Sequence, residues 1–203
     1  MSRVLAVANQ KGGVGKTTTA INLGAALAAM ECRVLLVDCD PQGNATRGLG
    51  VEVEDSHLYQ VLTDQVDPRE APRSTGFPYL DIIPAGRDLV GVEGEFVGLE
   101  GWQWRLARTL LAVREDYSII LLDCPPSLGH LTINALVAAD GVLVPLQCEY
   151  FAMEGISALI STIRRVKATM NPDLAIAGIL LTMHDERTNL SKDVAREVRE
   201  HFG

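Results

Sequence analysis

Short apolar runs recur along the chain, separated by longer segments with helical spacing. The apolar runs are rich in Val, Ile and Leu and do not alternate with polar residues, which is typical of strands covered on both faces. They are Val4–Ala8, Val34–Val37, Leu80–Ile83, Ile119–Leu122, Val142–Leu146 and Ile176–Leu181. The helical segments are Thr17–Met30, Trp102–Val113, Thr132–Ala139, Gly155–Thr169 and Leu190–His201. This alternation predicts an α/β fold with a mostly parallel β-sheet flanked by α-helices on both faces.

One stretch departs from this alternation. Gly48–Tyr79 holds three prolines, many charges and only weak periodicity, so it predicts an irregular excursion with a short helix around Ser56–Leu62. We find no internal repeat and no linker composition in the chain. Its 203 residues are therefore expected to form a single domain, residues 1–203.

Composition and charge limit the class of protein and its expected location in the cell. With 47% hydrophobic and 22% charged residues, the chain is typical of a globular protein, and no apolar run approaches the roughly 20 residues that span a bilayer. We therefore expect a cytoplasmic protein, with its four cysteines as buried, reduced thiols because none has CxxC spacing. The net charge of −8 is uneven, because residues 157–203 carry 7 of the 18 basic and 6 of the 26 acidic side chains. Any contact with nucleic acid is expected in that C-terminal third.

The strongest motif is KGGVGKTTT, Lys11–Thr19, between the first strand and the first helix. A phosphate-binding loop belongs at this place, because its backbone N–H groups and the helix N-terminus can surround an anion. Glycines at 12, 13 and 15 allow the tight turn and keep side chains away from the phosphates. The motif therefore predicts a P-loop NTPase-like fold and a nucleotide held by residues Lys11, Gly12, Gly13, Val14, Gly15, Lys16, Thr17 and Thr18.

Two side chains of the loop have specific chemistry. Lys16 can reach the β- and γ-phosphates, and the Thr17 hydroxyl is placed to ligate Mg²⁺. The loop also departs from the general G-x-x-x-x-G-K-[ST] pattern, because Gln10 takes the place of the first glycine and a second lysine, Lys11, follows it. A second lysine beside the loop makes physical sense where two protomers face each other with ATP between them.

Three carboxylates follow apolar strands. Asp38 and Asp40, in VLLVDCDPQGNAT, lie at the carboxyl end of a strand, where open α/β sheets bind ligands, and alternation places both on one side. Asp123 ends SIILLDCPPS and is typical of a Walker B carboxylate that holds Mg²⁺ through water. Pro126, just beyond it, falls in a segment suited to sensing the γ-phosphate.

These motifs and their order resemble the deviant Walker A ATPases of the ParA/Soj type, as do Pro145–Ser157 and Gly178–Ser191. The resemblance implies that Lys11 crosses a dimer interface to the partner's nucleotide and that Asp40 positions the attacking water. It also implies that Asp38 supports the Mg²⁺ shell through water. Thr182 and Met183 are implied to lie near the base.

The same resemblance implies a function. It is an ATP- and Mg²⁺-dependent homodimer that hydrolyses ATP slowly, binds DNA non-specifically and is stimulated by a ParB-type activator in chromosome or plasmid partition. Such a protein would be nucleoid-associated. The basic residues that could contact DNA phosphates are Arg164, Arg165, Lys167, Arg187, Lys192, Arg196 and Arg199.

Two other functional classes of protein remain as alternatives. A MinD-like positioning ATPase would bind membranes, although a C-terminal amphipathic membrane helix is not evident here and no membrane contact is expected. A small-molecule P-loop enzyme, such as a kinase or an amide-forming ligase, can share a related loop. The resemblance also implies that the family's usual C-terminal strand and closing helix are lacking from residues 1–203.

Overall fold

The structure, a computed structural model, describes residues 2–53, 57–149 and 152–202. Strands and helices alternate along these residues. The strands are β1 (Arg3–Val7), β2 (Val34–Asp38), β3 (Arg73–Ser74), β4 (Leu80–Ile83), β5 (Ile119–Asp123), β6 (Gly141–Gln147) and β7 (Ala175–Thr182). The α-helices are α1 (Lys16–Ala29), α2 (Asn44–Gly48), α3 (Leu58–Leu62), α4 (Val92–Glu95), α5 (Arg105–Val113), α6 (His130–Ala138), α7 (Ala152–Thr169) and α8 (Asn189–Phe202).

The strands form one sheet in the order β3-β4-β2-β5-β1-β6-β7. Every neighbouring pair is parallel except β3 with β4, so the mostly parallel sheet predicted from the apolar runs is confirmed. The carboxyl ends of the parallel strands share one edge, and the loops that follow β1, β2, β5 and β7 gather there. Around β1 the chain crosses from one side of the sheet to the other, which is where such sheets form a ligand crevice.

Side chains from both faces of the sheet are buried. Leu35 and Val37 belong to the larger apolar cluster, which includes side chains of α5, α6 and α7. Val34 and Leu36 point the other way and pack with α1. The helices therefore cover both faces, as the non-alternating apolar runs predict. Truncating one of these buried leucines to alanine typically costs about 2–5 kcal/mol.

The last strand does not meet its prediction. The run Ile176–Leu181 indicated a strand covered on both faces, but β7 pairs with β6 alone and lies at the edge of the sheet among the described residues. Ile176 is 38% exposed and Leu180 is 41% exposed. An apolar run records that a strand is hydrophobic, but it does not record how many neighbours the strand has, so the prediction of full coverage is wrong here.

Each predicted helix is present, with ends shifted by a few residues. Residues Trp102–Trp104 form a 3-10 turn before α5, so the predicted helix Trp102–Val113 begins later as an α-helix. The short helix of the excursion is α3, although Ser56, its predicted start, lies outside the described residues. Helices α2 and α4 and strand β3 were not predicted, because each is only two to five residues long.

Two smaller expectations can be compared with the fold. Cys39, Cys124 and Cys148 are buried, as expected, whereas Cys32 is partly exposed, because it lies in the turn between α1 and β2. In the described part of the chain, no helix combines the length and the apolar character needed to cross a membrane.

Candidate active site

The phosphate loop connects β1 to α1 at the carboxyl edge of the sheet. Gly13 and Gly15 have φ angles of 76° and 89°, a region that strains residues with a Cβ. A Cβ added to Gly12 or Gly13 would meet no atom within 4 Å, so the space above the loop is open. Helix α1 begins without an acidic residue in its first turn and without a side-chain cap. Its free N–H groups therefore face an open space that suits an anion.

The Lys16 side chain packs against the backbone of this loop. Its side chain is buried, and Nζ donates a hydrogen bond of 2.8 Å to the Lys11 carbonyl oxygen. Burial lowers the pKa of Lys16, while the nearby carboxylates of Asp123 and Asp40 oppose that shift. A buried ammonium group beside an open anion site is arranged to bind phosphate.

Two long-range hydrogen bonds support the loop from below. Asn9 Nδ2 donates to the Pro145 carbonyl at 2.7 Å, and its Oδ1 accepts from the Lys11 N–H at 3.0 Å. The Thr182 hydroxyl donates to the Val14 carbonyl at 2.9 Å. Thr182 and the buried Val14 thus lie beneath the loop, and neither lines the nucleotide cavity. The Thr182 hydroxyl is therefore taken up by the loop backbone, and the places of Thr182 near the base and of Val14 in the phosphate loop stay predictions.

Asp38 and Asp123 lie at paired positions on the neighbouring strands β2 and β5. The Asp38 carboxylate anchors the segment that follows it: Oδ1 accepts from the Asp40 N–H at 3.2 Å, and Oδ2 accepts from the N–H and hydroxyl of Thr46 at 2.8 and 2.7 Å. Burial raises the pKa of Asp38, and the Thr46 bonds oppose that rise. The structure thus gives Asp38 a structural task besides its predicted part in the Mg²⁺ shell.

Asp123 has a different environment. Both of its carboxylate oxygens are buried without a hydrogen-bond partner among the described residues. Burial raises the pKa of Asp123 to about 7, while the Thr17 hydroxyl and, to a smaller extent, the Lys16 ammonium oppose the shift. A buried carboxylate without a donor is costly unless a cation or water completes it. Asp123 and the neighbouring Thr17 hydroxyl therefore fit a Mg²⁺ ion, which favours oxygen ligands and keeps several waters.

Asp40 is positioned at the wall of the cavity. It is only 7% exposed, and its Oδ1 accepts from the Gln42 N–H at 2.9 Å while its carbonyl accepts from Gly43 at 2.8 Å. Gly43 has a φ of 63°, which the tight turn requires. The turn fixes one carboxylate oxygen and leaves Asp40 facing the space above the phosphate loop.

A cavity of about 560 Å³ lies above the phosphate loop at the carboxyl edge of the sheet. Asp38 and Asp123 are fully buried and are not among its lining residues. Most predicted nucleotide-binding residues line the cavity, namely Gly12, Gly13, Gly15, Lys16, Thr17, Thr18, Pro126 and Met183, as does Asp40, which was predicted to position the attacking water. Ile21, Asn22 and Asn44 also line it, and sequence reasoning did not select them. Asn44 was detectable in principle, because it belongs to the D-P-Q-G-N segment.

Lys11 lies outside this cavity. Its ammonium group forms an ion pair with Glu149, which follows β6, and both side chains are partly exposed. Lys11 therefore pairs with Glu149 and does not line the nucleotide cavity of its own chain. Glu149 was not predicted as a functional residue, because no local motif links it to a loop 138 positions earlier.

Taken together, the loop between β1 and α1, the strand-end carboxylates and the cavity at the sheet crevice define a P-loop nucleotide-binding protein. The AAA domain family matches residues 2–176. The chain is 52% identical over 204 residues to the sporulation initiation inhibitor protein Soj of Bacillus subtilis (strain 168), covering 100% of this chain and 81% of Soj. It is 54% identical over 205 residues to the chromosome partitioning protein ParA of Caulobacter vibrioides, covering 99% and 77%. The chain belongs to the Soj/ParA family of chromosome-partitioning ATPases.

A solved structure agrees on the fold and on the type of ligand. Cobyrinic acid a,c-diamide synthase from Mycobacterium smegmatis, with bound ADP and magnesium, superposes with a TM-score of 0.94. It is 44% identical and covers 100% of this chain and 83% of that protein. Its name denotes amide formation, whereas the Soj and ParA relatives are more similar in sequence.

Proposed function

We propose that the chain is an ATP-dependent dimerising switch that hydrolyses ATP to ADP and phosphate and acts in chromosome or plasmid partition. One observation carries the proposal. The phosphate-loop cavity holds Lys16 and Asp40 at its wall, while the second loop lysine, Lys11, lies outside it. A cation placed outside its own nucleotide cavity is available to a second protomer.

ATP binding follows from the loop. The N–H groups of the loop and of the first turn of α1 would surround the phosphates, with Lys16 on the β- and γ-phosphates. Thr17 and Asp123 would hold Mg²⁺, with Asp38 contributing through water. When bound, the ion neutralises charge that develops on the phosphate oxygens. Its role rests on the unsatisfied Asp123 carboxylate and on the bound magnesium of the M. smegmatis protein.

Hydrolysis needs an oriented water. Asp40 is the described carboxylate that both lines the cavity and has a fixed geometry, through its Gln42 contact. We assign it the positioning of the attacking water beside the γ-phosphate. Positioning and electrostatic stabilisation supply most of the catalysis in phosphoryl transfer, so the fixed orientation of this carboxylate supports the assignment.

Dimerisation would use Lys11. In the monomer, the Lys11 ammonium group pairs with Glu149. A nucleotide triphosphate carries more negative charge than one carboxylate, so a facing protomer with ATP offers Lys11 a stronger partner. Loss of the γ-phosphate weakens that attraction and favours return to monomers. The nucleotide then acts as a timer.

DNA binding would follow from the C-terminal basic residues. Arg187 and Arg196 pair with neighbouring aspartates, and Lys167 donates to the Leu174 carbonyl. Four exposed cations of this set are better placed for phosphate contacts: Arg164, Arg165, Lys192 and Arg199. Such contacts give sequence-independent, salt-sensitive binding, which a dimer would strengthen by doubling their number. The DNA-bound dimer would be nucleoid-associated.

A ParB-type activator completes the proposal. The family resemblance implies an activator with a basic N-terminal peptide, and residues 1–156 of this chain have a net charge of −9. Opposite charges of this kind accelerate encounter and favour the correct partner. The activator would raise a slow basal rate of hydrolysis.

Turnover measurements separate this proposal from two alternatives. We expect slow ATP hydrolysis that rises with DNA and a ParB-type activator, and that Lys16→Ala abolishes while Lys192→Ala leaves it unchanged without DNA. Hydrolysis that depends on lipid vesicles would favour a MinD-like protein. Hydrolysis that depends on cobyrinic acid and an amide-nitrogen donor would favour the chemistry named for the M. smegmatis protein.

A further inference from the structure

The first turn of α6 is held by a side chain from 37 residues earlier. Glu93, on α4, accepts a hydrogen bond from the His130 N–H at 3.0 Å and another from the Leu131 N–H at 3.4 Å. The same carboxylate pairs with the His130 ring nitrogen Nδ1 at 2.8 Å. Helix α6 has no cap from its own preceding residue, Gly129, so Glu93 supplies the negative cap that a helix N-terminus favours.

The packing around this contact leaves little freedom. A Cβ on Gly129 would lie 2.8 Å from the Glu93 carboxyl carbon, so a larger residue at position 129 would have to displace the Glu93 carboxylate. On its other side, the His130 ring meets Trp102 edge-on at 4.3 Å between ring centroids. Trp102 packs in turn against the buried Phe96 at 6.2 Å. His130 is thus enclosed by Glu93 and an aromatic pair.

This contact lies at the end of the segment that enters the nucleotide cavity. Residues 124–129 run from Asp123 to α6, and Pro126 among them lines the cavity. Within the same stretch, the Thr132 hydroxyl donates to the Ser127 carbonyl at 2.6 Å. Because the segment is anchored by β5 at one end and by α6 at the other, moving the first turn of α6 would move Pro126.

We propose that Glu93 is a positioning residue for residues 124–129: it fixes the first turn of α6 so that Pro126 stays where the γ-phosphate would be sensed. The inference rests on the proposed ATP switch and adds to it a residue that touches neither nucleotide nor metal. Without the Glu93 carboxylate, two backbone N–H groups and the imidazole lose their shared acceptor. The segment would then occupy its competent position for a smaller fraction of the time.

The test compares two neighbouring glutamates. Glu93→Gln keeps the size of the side chain but weakens the shared acceptor, whereas Glu95→Gln, on the same helix, changes a carboxylate bonded to the Tyr59 hydroxyl instead. We expect kcat for ATP hydrolysis to fall about tenfold in Glu93→Gln, as for the loss of a charge-assisted hydrogen bond. KM for ATP should stay within about twofold, because the phosphate loop is intact, and Glu95→Gln should resemble the parent protein.

A second readout reports the segment itself. The chain has two tryptophans and four tyrosines, so Trp104→Phe leaves Trp102, against His130, as the only tryptophan, which is excited selectively at the red edge of the indole absorption band. In this background we expect the emission of Trp102 to differ between ATP and ADP in the parent and in Glu95→Gln, and the difference to shrink in Glu93→Gln. A side chain that served folding alone would alter the melting temperature without removing this nucleotide-dependent signal.

Each outcome has one meaning. Equal kcat and equal Trp102 response in the two variants would overturn the inference while leaving the ATP switch intact. A parent protein without turnover and without a Trp102 response would overturn the proposed function itself, and this inference with it. Should Glu93→Gln fail to fold, Glu93→Asp takes its place, because it keeps the charge but withdraws the carboxylate from α6 by one methylene.

Discussion

Lys11 and Lys16 are five residues apart in the same loop, yet they have different surroundings. Lys16 is buried against the Lys11 carbonyl and the strand-end carboxylates, whereas Lys11 is partly exposed and pairs with Glu149. We therefore expect substitution of Lys16 to impair nucleotide binding and substitution of Lys11 to impair dimerisation.

The first prediction concerns Lys16. Lys16→Ala removes the ammonium group expected on the β- and γ-phosphates, and charge-assisted bonds to phosphate are the strong ones. We expect ATP affinity to fall by at least about a hundredfold, measured by calorimetry. Lys167→Ala, which removes a lysine remote from the loop, is the control. Unchanged ATP affinity in Lys16→Ala would contradict the phosphate-binding role of the loop.

The second prediction concerns Lys11. Lys11→Ala should bind ATP within a few-fold of the parent, because the side chain does not line the cavity. Its ATP-dependent dimer should be lost, since the cation that would cross to the partner is gone. Sedimentation velocity of the parent and of Lys11→Ala, each with ATP, measures the fractions of monomer and dimer. A normal ATP dimer in this variant would remove the trans role from Lys11.

The third prediction follows from the pKa of Asp123, which burial raises from its ordinary value near 3.8 to about 7. The folded protein without nucleotide keeps a proton that the unfolded chain releases between about pH 4 and 7, so this group lowers stability as pH rises through that window. At pH 8 the cost is of the order of 1–4 kcal/mol. Asp123→Asn should recover this free energy of unfolding at pH 8 and little at pH 4, as measured by urea denaturation.

The same variant has a second expected effect. Asp123→Asn removes the carboxylate that would ionise to hold Mg²⁺, so it should lose Mg²⁺-dependent hydrolysis even though it is more stable. A variant with parental hydrolysis, or with the parental change of stability between pH 4 and pH 8, would show that Asp123 is neither ionised for the metal nor costly when buried.

Sequence reasoning located the site by local motifs, and it missed what distant segments contribute. Asp38, Asp40 and Asp123 stand out because each follows an apolar strand. Asn9 bonds to a carbonyl 136 residues away, and Thr182 to one 168 residues away. No spacing within a motif records such contacts, which depend on the order of strands in the sheet.

At the scale of secondary structure, β7 supports the phosphate loop from the edge of the sheet. The strand ends at Thr182, whose hydroxyl holds the Val14 carbonyl. This explains how a strand remote in sequence influences the loop between β1 and α1. Because this hydrogen bond depends on the Thr182 hydroxyl alone, one substitution can remove it.

The fourth prediction tests that support. Thr182→Val keeps the shape of the side chain and removes the hydroxyl, so the loop loses one neutral hydrogen bond, worth about 0.5–1.5 kcal/mol. We expect ATP affinity to fall about two- to tenfold, measured by titration calorimetry. Thr182→Ser, which retains the donor, should stay close to the parent. Equal affinities for the two variants would show that the bond does not hold the loop.

The predictability of the elements follows their length and burial. Central strands such as β2 are buried on both faces, so their apolar runs predict them directly. The short helices α2 and α4 have too few residues to show a period. The edge position of β7 depends on how many strands pair with it, which is a property of the whole sheet.

In the proposed switch, a nucleotide joins two copies of the chain. The carboxyl edge of the sheet carries the cavity, the Asp40 turn and the Lys11 loop together, so a second copy facing this edge would meet ATP and Lys11 at once. The basic side chains of α7 and α8 would supply the salt-sensitive contacts to DNA.

The most direct test is the mass of Asp40→Ala in solution by light scattering, with Mg²⁺ and either ATP or ADP. Without the water-positioning carboxylate, ATP should persist, and we expect a dimer of twice the 22.0 kDa chain mass with ATP and a monomer with ADP. The ATP form should bind non-specific DNA at low salt and release it at high salt. A monomer with both nucleotides, or normal ATP hydrolysis by this variant, would contradict the nucleotide-switched dimer.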